Sequence, residues 1–435
     1  MQKLLLPLAL AALVTHPAHA QTSADNRLLW SAANANIVEP TGQLTLPLAL
    51  DLAFKLNPEI TASMREIDAS DGALRQAGII PNPELETLVE DQQKATRTTT
   101  VQLNQPIELG GKRSARITAA QRGREAAIAE SNAKRADIRA AVITAFYDLL
   151  AAQERHRLAQ TSVELAQRGT MATSRRVTAG KISPVDETKA RVAESVVRIE
   201  LVQAAGDELN ARKRLATTWG SVTPRFSSVE ALGEVLPAMP PLEELTRRLQ
   251  ESPGLLRAKI EVERRQALTQ IERSRHMPDA TLSVGLKRDE QLGRNQAIFG
   301  VSIPLPFFDR NQGNIQEAAQ RAHKAQDELT VTEVRLNSEL AQAHARHATA
   351  RAEVQLLQQE VLPGAQSAYD AATKGFELGK FNFLDVLDAQ RTLLQARSQY
   401  VKALSETHRA AAEIERIVGI ADPLTTSLLP AAGAR

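Results

Sequence analysis

Most of the chain repeats apolar residues at steps of three and four, the spacing that places them on one side of an α-helix. No proline interrupts 107–183, and residues 112–178 are predicted to form one helix. At a rise of 1.5 Å per residue, that helix is about 100 Å long. Its apolar seam includes Ile138, Val142, Ala145, Leu149 and Ala152. Such a seam is typical of a coiled coil.

The same order of elements is predicted twice, which indicates an internal duplication. The predicted helices cover 44–78, 112–178 and 184–217 in the first repeat (44–217) and 242–276, 310–376 and 383–418 in the second (242–418). We expect Asn57-Pro58 to start a new segment within the first helix, and Pro363-Gly364 to bend the second long helix. Residues 218–241 connect the repeats. In each repeat the two shorter helices together are about as long as the long helix, so we expect them to lie end to end beside it. Each repeat is then two helices wide, and the two repeats together predict a wall four helices wide.

Before the long helix of each repeat, the apolar period changes from 3.6 to 2, which predicts a β-hairpin. The hairpins cover 82–107 and 279–306. The apolar face of their strands carries Leu85, Val89, Val101, Leu103, Leu282, Val284, Leu286, Phe299, Val301 and Ile303. Strands of about ten residues with one apolar and one polar face fit a membrane barrel, although surface hairpins of soluble domains are the commoner structure.

Four strands are too few to close a barrel, since small barrels have about eight. Open strand edges are excluded in lipid, because their N–H and C=O groups would have no partner there. The sequence therefore predicts a mainly α fold with a β-barrel part. Several chains would contribute strands to one transmembrane barrel, which continues into a tunnel of coiled-coil helical hairpins.

Composition excludes several classes of function. The formal charge is +2 and charged residues make up 24%, so no strongly basic surface for nucleic acid is predicted. Cysteine is absent, which excludes disulfides and a thiol-linked N-terminal lipid. We find no nucleophile–base pair, phosphate loop or spaced metal cluster, so we predict neither an enzyme nor a cofactor. His344 and His347 are interpreted as packed or solvated side chains and not as metal ligands.

The N-terminus has the pattern of a secretory signal peptide over residues 1–20. Lys3 precedes an apolar run over 4–14, and Ala18-His19-Ala20 fits cleavage before Gln21. Residues 21–43 are then a polar leader, and 419–435 are a C-terminal tail. No later window is long and apolar enough for a transmembrane helix, so strands would have to carry a membrane role.

Two related corners separate the long helices from the helices that follow. Phe376–Ala389 reads FELGKFNFLDVLDA, and Val177–Ala190 reads VTAGKISPVDETKA. Each contains Gly-Lys at a tight turn. Asp385 and Asp388 lie at i and i+3, on one face of the last helix. These carboxylates are either solvated groups at a helix N-terminus or a cluster that attracts cations in a constriction.

The chain resembles the TolC-like outer membrane factors of tripartite RND-type efflux systems. The resemblance rests on these corners, on the repeat, and on the stretches Asn57-Pro58-Glu59-Ile60 and Ile80-Pro81-Asn82-Pro83. The stretch Gln105–Arg113, QPIELGGKR, is similar to the CzcC-type branch for heavy-metal cations. The resemblance covers essentially the whole mature chain. It implies a homotrimer with a twelve-stranded barrel in outer membrane lipid and a periplasmic α-barrel. The implied partners are a periplasmic adaptor (membrane fusion) protein and an inner-membrane RND-type transporter.

The resemblance also implies roles for the corner residues. In the family, the face that bears Asp385 and Asp388 lines the closed periplasmic end of the tunnel, where three copies would place six carboxylates. The expected gate residues are Asp385, Asp388, Asp186, Lys380 and Lys181. Contact with the adaptor is expected at Gly180, Ser183, Gly379 and Phe383. The basic residue that links the gate in the family is replaced here by Phe381.

The function that follows is an exit duct for heavy-metal cations such as cobalt, zinc and cadmium, or copper and silver. Two alternatives stay open at this point: an exit duct for drugs or secreted proteins, and a soluble periplasmic coiled-coil scaffold. The alternation in all four strands favours a membrane protein over the scaffold. The exported substrate depends mostly on the pump, so the residues of a duct discriminate poorly between substrates.

Overall fold

Long helices and one four-stranded sheet make up the protein, as described by a computed structural model for residues 39–91, 93–230, 236–378, 380–381 and 383–419. The predicted signal peptide, most of the leader, part of the connector and nearly all of the C-terminal tail lie outside these residues. The predominance of helix confirms the predicted mainly α fold class.

The first repeat begins with a helix that is divided at one asparagine. The elements of this half are β1 (Gln43–Leu44), α1 (Leu46–Leu56), α2 (Pro58–Ala77), β2 (Glu84–Glu90), β3 (Thr98–Ile107), α3 (Lys112–Thr178), α4 (Pro184–Thr217) and β4 (Ser228–Val229). Asn57 lies between α1 and α2 with extended backbone, and its Oδ1 accepts from Glu59 N at 2.7 Å. This cap, followed by Pro58 at the first helical position, starts α2 in a new direction.

The second repeat has the same order but breaks its long helix. Its elements are α5 (Leu242–Arg248), a 3₁₀ turn (Leu249–Glu251), α6 (Pro253–Ser274), β5 (Ala280–Asp289), β6 (Arg294–Ser302), α7 (Gln312–Leu356), a π-helical turn (Leu357–Val361), α8 (Leu362–Glu377) and α9 (Phe383–Val418). The π-helical turn shifts the backbone hydrogen bonds just before Pro363. Pro363 then occupies the first turn of α8, where its missing N–H needs no intrahelical acceptor.

The two hairpins form one antiparallel sheet in the order β2-β3-β5-β6. Leu85 lies opposite Leu103, Leu103 opposite Val284, and Val284 opposite Phe299. This register places the residues predicted to be apolar-facing on one face of the sheet, as period-2 alternation requires, while Leu88 and Ile298 lie on the other. Strands β2 and β6 are the two edges of the sheet.

The long helix α3 lies at the centre of the helical wall. Its first half packs against α2 and α6, and Arg124 pairs there with Asp71 on α2. Its second half packs against α4 and α9, where Ser405 Oγ donates to Tyr147 O at 3.2 Å. Helix α7 packs against α6 and α9. Each long helix therefore has two shorter helices beside it, one after the other.

The largest apolar core lies at the middle of α3, where α1 and the connector pack against it. Phe146 and Leu149 are fully buried there, together with Leu52 from α1 and Phe226 from the connector. Away from this region many buried apolar residues are alanines, which let the helices approach closely. The bulky residues thus fix the middle of the wall.

The shorter helices of each repeat meet end to end. In the first repeat, Asn57 Nδ2 donates to Thr218 O at 2.7 Å and joins the start of α2 to the end of α4. In the second, Gly419 follows α9 with φ of +71° and lies against Pro253, the first residue of α6. A Cβ at residue 419 would clash with the ring of Pro253, so glycine is required there.

Replacing Gly419 by alanine is expected to lower the free energy of unfolding by about 2 kcal/mol, because it adds this clash to a left-handed backbone. Guanidinium unfolding followed by circular dichroism measures the change. Gly206→Ala is the control: Gly206 lies inside α4, and among the described residues no atom comes within 4 Å of a Cβ placed there. That substitution is expected to stabilise the protein by up to about 1 kcal/mol. Equal effects at the two sites would contradict the packing described here.

Candidate gate at the helical corners

The first corner, between α3 and α4, is a glycine-terminated helix end. Gly180 has φ of +71°, and Lys181 N donates to Arg176 O at 2.9 Å, which is the hydrogen bond of a Schellman motif. Ser183 then caps α4, with its Oγ accepting from Val185 N at 3.2 Å. Gly180 and Ser183 therefore have structural roles in the turn, and both lie at the exposed tip of the hairpin.

The acidic side chains at this corner belong to the first turn of α4. Hydrogen bonds from Arg191 and Ser174 lower the pKa of the Glu187 carboxyl, so this group stays charged. Asp186 precedes it in the first turn, where the helix macrodipole favours negative charge. Within the described part of the protomer, neither Lys181 nor Lys380 forms an ion pair with Asp186. Pairing of these residues between protomers remains a prediction.

The second corner, between α8 and α9, folds back onto the end of α8. Lys380 N donates to Gly375 O at 2.8 Å, and the ring of Phe381 lies over Gly375. Gly379 lies outside the described residues, and Phe383 is the first residue of α9. The residue that replaces the expected basic group thus packs against its own helix.

The tips of the two hairpins touch through an arginine and a phenylalanine. The guanidinium carbon of Arg176 lies 4.3 Å from the centre of the Phe376 ring, and Arg176 Nη2 donates to Phe376 O at 3.4 Å. A cation over an aromatic face is stabilised by the ring quadrupole. This contact joins the end of α3 to the end of α8. Arg176 could not be identified from the sequence, because it lies far from Phe376 in the chain and no sequence motif links the two residues.

The structure brings Asp385 and Asp388 to one groove. Both side chains are exposed, and they line a groove of about 740 Å³ between α9 and the hairpin of α3 and α4. Glu200 and Asp207 of α4 and Arg155 of α3 lie along the same groove. Arg391 of α9 also lines it, so four carboxylates face two guanidinium groups and the walls carry a net negative charge. Asp186 does not line this groove.

The sheet presents a continuous apolar face to its surroundings. All ten residues predicted for that face are exposed, from Val101 at 41% to Phe299 at 78%. The opposite face is polar: Glu86 Oε2 accepts from Gln102 Nε2 at 2.7 Å and from Asn104 Nδ2 at 2.8 Å. In the part of the chain that the structure describes, none of the helices combines the length and hydropathy of a membrane span. An exposed apolar face of this extent marks an interaction surface.

The two histidines examined as metal ligands lie elsewhere, on α7. His347 is buried, its Nε2 lies 3.2 Å from Pro237 O, and burial lowers its pKa. Across the described ranges, no group of three or more His, Asp or Glu side chains could hold a metal ion. His347 therefore acts as a packed residue that ties the connector to α7.

Comparison with known families bears on both repeats. The family model described as "Outer membrane efflux protein" matches residues 49–221 and 245–420. The chain belongs to the outer membrane efflux protein family. The two matched segments correspond to the two repeats of this efflux protein, including both corners.

Three curated relatives of this efflux protein are named as metal-resistance proteins. It is 49% identical over 419 residues to the cobalt-zinc-cadmium resistance protein CzcC of Cupriavidus metallidurans, which covers 96% of this chain and 100% of that one. It is 27% identical over 295 residues to the nickel-cobalt-cadmium resistance protein NccC of Alcaligenes xylosoxydans xylosoxydans, covering 66% and 67%. The predicted resemblance to the CzcC-type branch is confirmed.

Solved structures share the fold of this efflux protein. The outer membrane protein VceC from Vibrio cholerae superposes with a TM-score of 0.72 at 21% identity, covering 86% of this chain and 96% of that one. At this identity the likeness concerns the fold alone. It shows that the paired helical hairpins and the sheet have the same arrangement as in that outer membrane protein.

Proposed function

We propose that the protein is the outer membrane exit duct of a tripartite pump that exports divalent heavy-metal cations such as cobalt, zinc and cadmium. The observation that carries this proposal is the 49% identity along 100% of CzcC, whose name records resistance to those three metals. The family is described as outer membrane efflux proteins, which supports a location of this chain in the outer membrane. The exposed apolar face of the sheet supports a membrane duct over a soluble periplasmic scaffold.

The duct is a homotrimer in this proposal. Both edges of the four-stranded sheet lack a neighbouring strand in the protomer. Three copies supply twelve strands, enough to close a barrel. The helical walls of the three copies then form the periplasmic tunnel, with the corners at its inner end. Gly180, Ser183, Gly379 and Phe383 lie at these corners and would meet a periplasmic adaptor that links the duct to an inner-membrane transporter.

The corners form the gate. Asp385 and Asp388 from three copies supply six carboxylates, which attract cations and repel one another in a constriction. The contact of Arg176 with Phe376 holds the two hairpin tips of each protomer together and favours the closed state. Asp186, Lys181 and Lys380 are positioned for ion pairs between copies.

Two experiments test the function. Purified protein in planar lipid bilayers is expected to show stepwise channel conductance. Deleting the gene is expected to abolish cobalt, zinc and cadmium resistance, and the wild-type chain is expected to restore it. A conducting protein whose removal leaves all three resistances unchanged would contradict the metal assignment and favour a duct for drugs or secreted proteins. A water-soluble protein without conductance would contradict the duct itself.

Arg176→Ala is expected to raise the open probability of the wild-type channel about fivefold, because losing the contact with Phe376 removes about 1 kcal/mol from the closed state. Single-channel recording at fixed voltage measures this change. Arg168→Ala is the matched control: Arg168 lies about two turns earlier on α3 and pairs with Glu164 on its own helix, at 3.6 Å. Equal open probabilities for the two variants would contradict a role of the Arg176–Phe376 contact in stabilising the closed channel.

A further inference from the structure

The helical wall has two faces, and a cavity marks the one that continues the polar side of the sheet. This cavity, of about 1500 Å³, is lined by α2, α3, α6 and α7. It reaches Asn82 and Glu108, which continue the polar alternation of Glu86 on β2 and of Asn104 on β3. In the proposed duct this face of the wall turns towards the tunnel. The opposite face lies outside the tunnel, below the apolar side of the sheet.

Two arginines lie on the outer face of the wall, in the last turns of α2 and α6. The cavity is lined by Ala73 and Ala77 of α2 and by Ile271 of α6. Arg75 is two residues from both alanines and Arg273 is two residues from Ile271, so about 200° of helical rotation separates each arginine from the cavity. Both arginines are exposed, at the helix ends that lead into the strands.

A third exposed arginine follows the end of the sheet. Arg310 precedes α7, and its Nε donates to Pro306 O at 3.3 Å. His276 Nδ1 lies 3.0 Å from Arg310 O, which places Arg310 beside the residues that follow α6. The segment between β6 and Arg310 includes four exposed apolar side chains: Ile303, Leu305, Phe307 and Phe308. The apolar side of the sheet is therefore continued by exposed apolar and aromatic groups, with a cation at their end.

These three guanidinium groups differ from the many ion-paired arginines of the wall, because none of them forms an ion pair within the ranges that the structure describes. The carboxylates nearest to them along the chain are engaged by other groups. Glu272 pairs with Arg275 at 2.7 Å and accepts from Asn311 Nδ2 at 2.9 Å, and Asp309 accepts from Asn311 N at 2.8 Å. The helix dipole stabilises a cation in a last turn, but the exposed guanidinium keeps N–H donors for an external anion.

We infer that Arg75, Arg273 and Arg310 form a basic collar that binds the phosphate groups of anionic phospholipids in the membrane leaflet on the helical side. The inference rests on the proposed duct, in which the apolar side of the sheet faces lipid hydrocarbon. Headgroup phosphates then lie where the apolar surface ends, which is the level of the collar. Basic residues at this level attract anionic lipid, and a guanidinium binds phosphate through paired N–H donors. The collar gives the duct a preference for anionic lipid, which the apolar face of the sheet cannot supply.

Lipid titration tests the collar. Purified protein in detergent receives either phosphatidylglycerol or phosphatidylcholine with the same acyl chains, and native mass spectrometry counts the bound lipids. We expect the wild type to bind phosphatidylglycerol about tenfold more tightly than phosphatidylcholine. Replacing the three collar arginines by glutamine is expected to reduce this preference to about threefold or less. The matched control changes the same number of exposed arginines in the middle of the wall and is expected to keep the preference: Arg214→Gln, Arg247→Gln and Arg346→Gln.

A fluorescent side chain tests the level of the collar in the membrane. Phe307→Trp is placed in vesicles that contain phosphatidylcholine brominated near the headgroup, and the wild-type signal of the two natural tryptophans is subtracted. We expect the added indole to lose most of its fluorescence, because bromine quenches it at contact and aromatic side chains lie at headgroup level. Phe381→Trp, at the second corner, is the control and is expected to keep its intensity.

Three results would overturn the collar and leave the duct in place, provided that the protein conducts in bilayers. The first is an unchanged lipid preference in the collar variant. The second is an unquenched Phe307→Trp variant, which would show that a neighbouring copy covers this level instead of lipid. The third is displacement of phosphatidylglycerol by excess inorganic phosphate, which would indicate a site for free phosphate. A monomeric protein without conductance would instead overturn the proposed duct.

Discussion

Removing Asp385 and Asp388 together is expected to lower the cation preference of the channel about tenfold and to raise its conductance at rest. In the proposed trimer, the double alanine variant loses six carboxylates at the proposed gate. A tenfold change in the cation-to-anion permeability ratio corresponds to about 1.4 kcal/mol, the scale of a few partly screened charges acting on one ion. Conductance rises because cations are no longer held between the carboxylates, where they would bridge neighbouring copies and narrow the constriction.

Reversal potentials in asymmetric salt measure the permeability ratio. Asp370→Ala is the matched control, since Asp370 lies on α8 away from the corner and accepts from Gln366 of the same helix, at 2.9 Å. Asp385→Asn with Asp388→Asn keeps the side-chain shape and separates charge from packing. If the alanine and asparagine variants both keep the wild-type permeability ratio, the gate lies elsewhere in the duct.

Acidification is expected to destabilise the middle of the wall through two histidines, the buried His347 and the half-buried His408. The ring of His408 on α9 stacks on Tyr147 of α3, with centroids 4.0 Å apart, and faces His347 of α7. Burial, with the neighbouring His347, lowers the pKa of His408 from 6.5 to about 4. Burial likewise lowers the pKa of His347, and the neighbouring Arg351 and His344 act in the same direction.

The direction of the effect follows from proton binding. The unfolded chain binds a proton at His408 more readily than the folded protein does, so unfolding is favoured as the pH falls from about 6.5 towards 4. Above pH 7 the ring is neutral in both states and the contribution disappears. Between pH 7.5 and pH 5 the loss from this half-buried ring is about 1–2 kcal/mol, allowing for solvent screening.

Guanidinium unfolding at pH 7.5 and pH 5 measures this loss. His408→Phe keeps a stacked ring without a titrating group, and it is expected to reduce the pH-dependent loss by that amount. His323→Gln, at an exposed position of α7, is the control and is expected to keep the wild-type dependence. An unchanged pH dependence in His408→Phe would show that the histidine is not the responsible group.

Much of this fold can be predicted from the sequence because its signals are local and repeated. The absence of proline over 107–183 and the steps of three and four predict α3, which the structure has as Lys112–Thr178. Alternation predicts which face of each strand is apolar, since side-chain direction has a period of two. The break at Asn57 also follows from a local signal, an N-cap residue before proline.

Features that depend on contacts between distant residues could not be predicted in this way. Pro363 predicts a bend but not the π-helical turn before it, where Leu357 lies in one apolar cluster with Ala403 of α9. The contact of Arg176 with Phe376 joins residues 200 positions apart. The expected pairing of Lys181 or Lys380 with Asp186 is not formed within the described protomer, because these side chains lie at solvent-exposed tips where pairing brings little stability.

The π-helical turn at Leu357–Val361 makes the two hairpins mechanically unequal. The first hairpin contains an unbroken rod of 67 residues, whereas the second has a compliant point above the 16 residues of α8. Helix α8 is a lever about 24 Å long. A rotation of about 10° at the turn would therefore displace the tip of α8 by roughly 4 Å, enough to separate Phe376 from Arg176 while the first hairpin stays still.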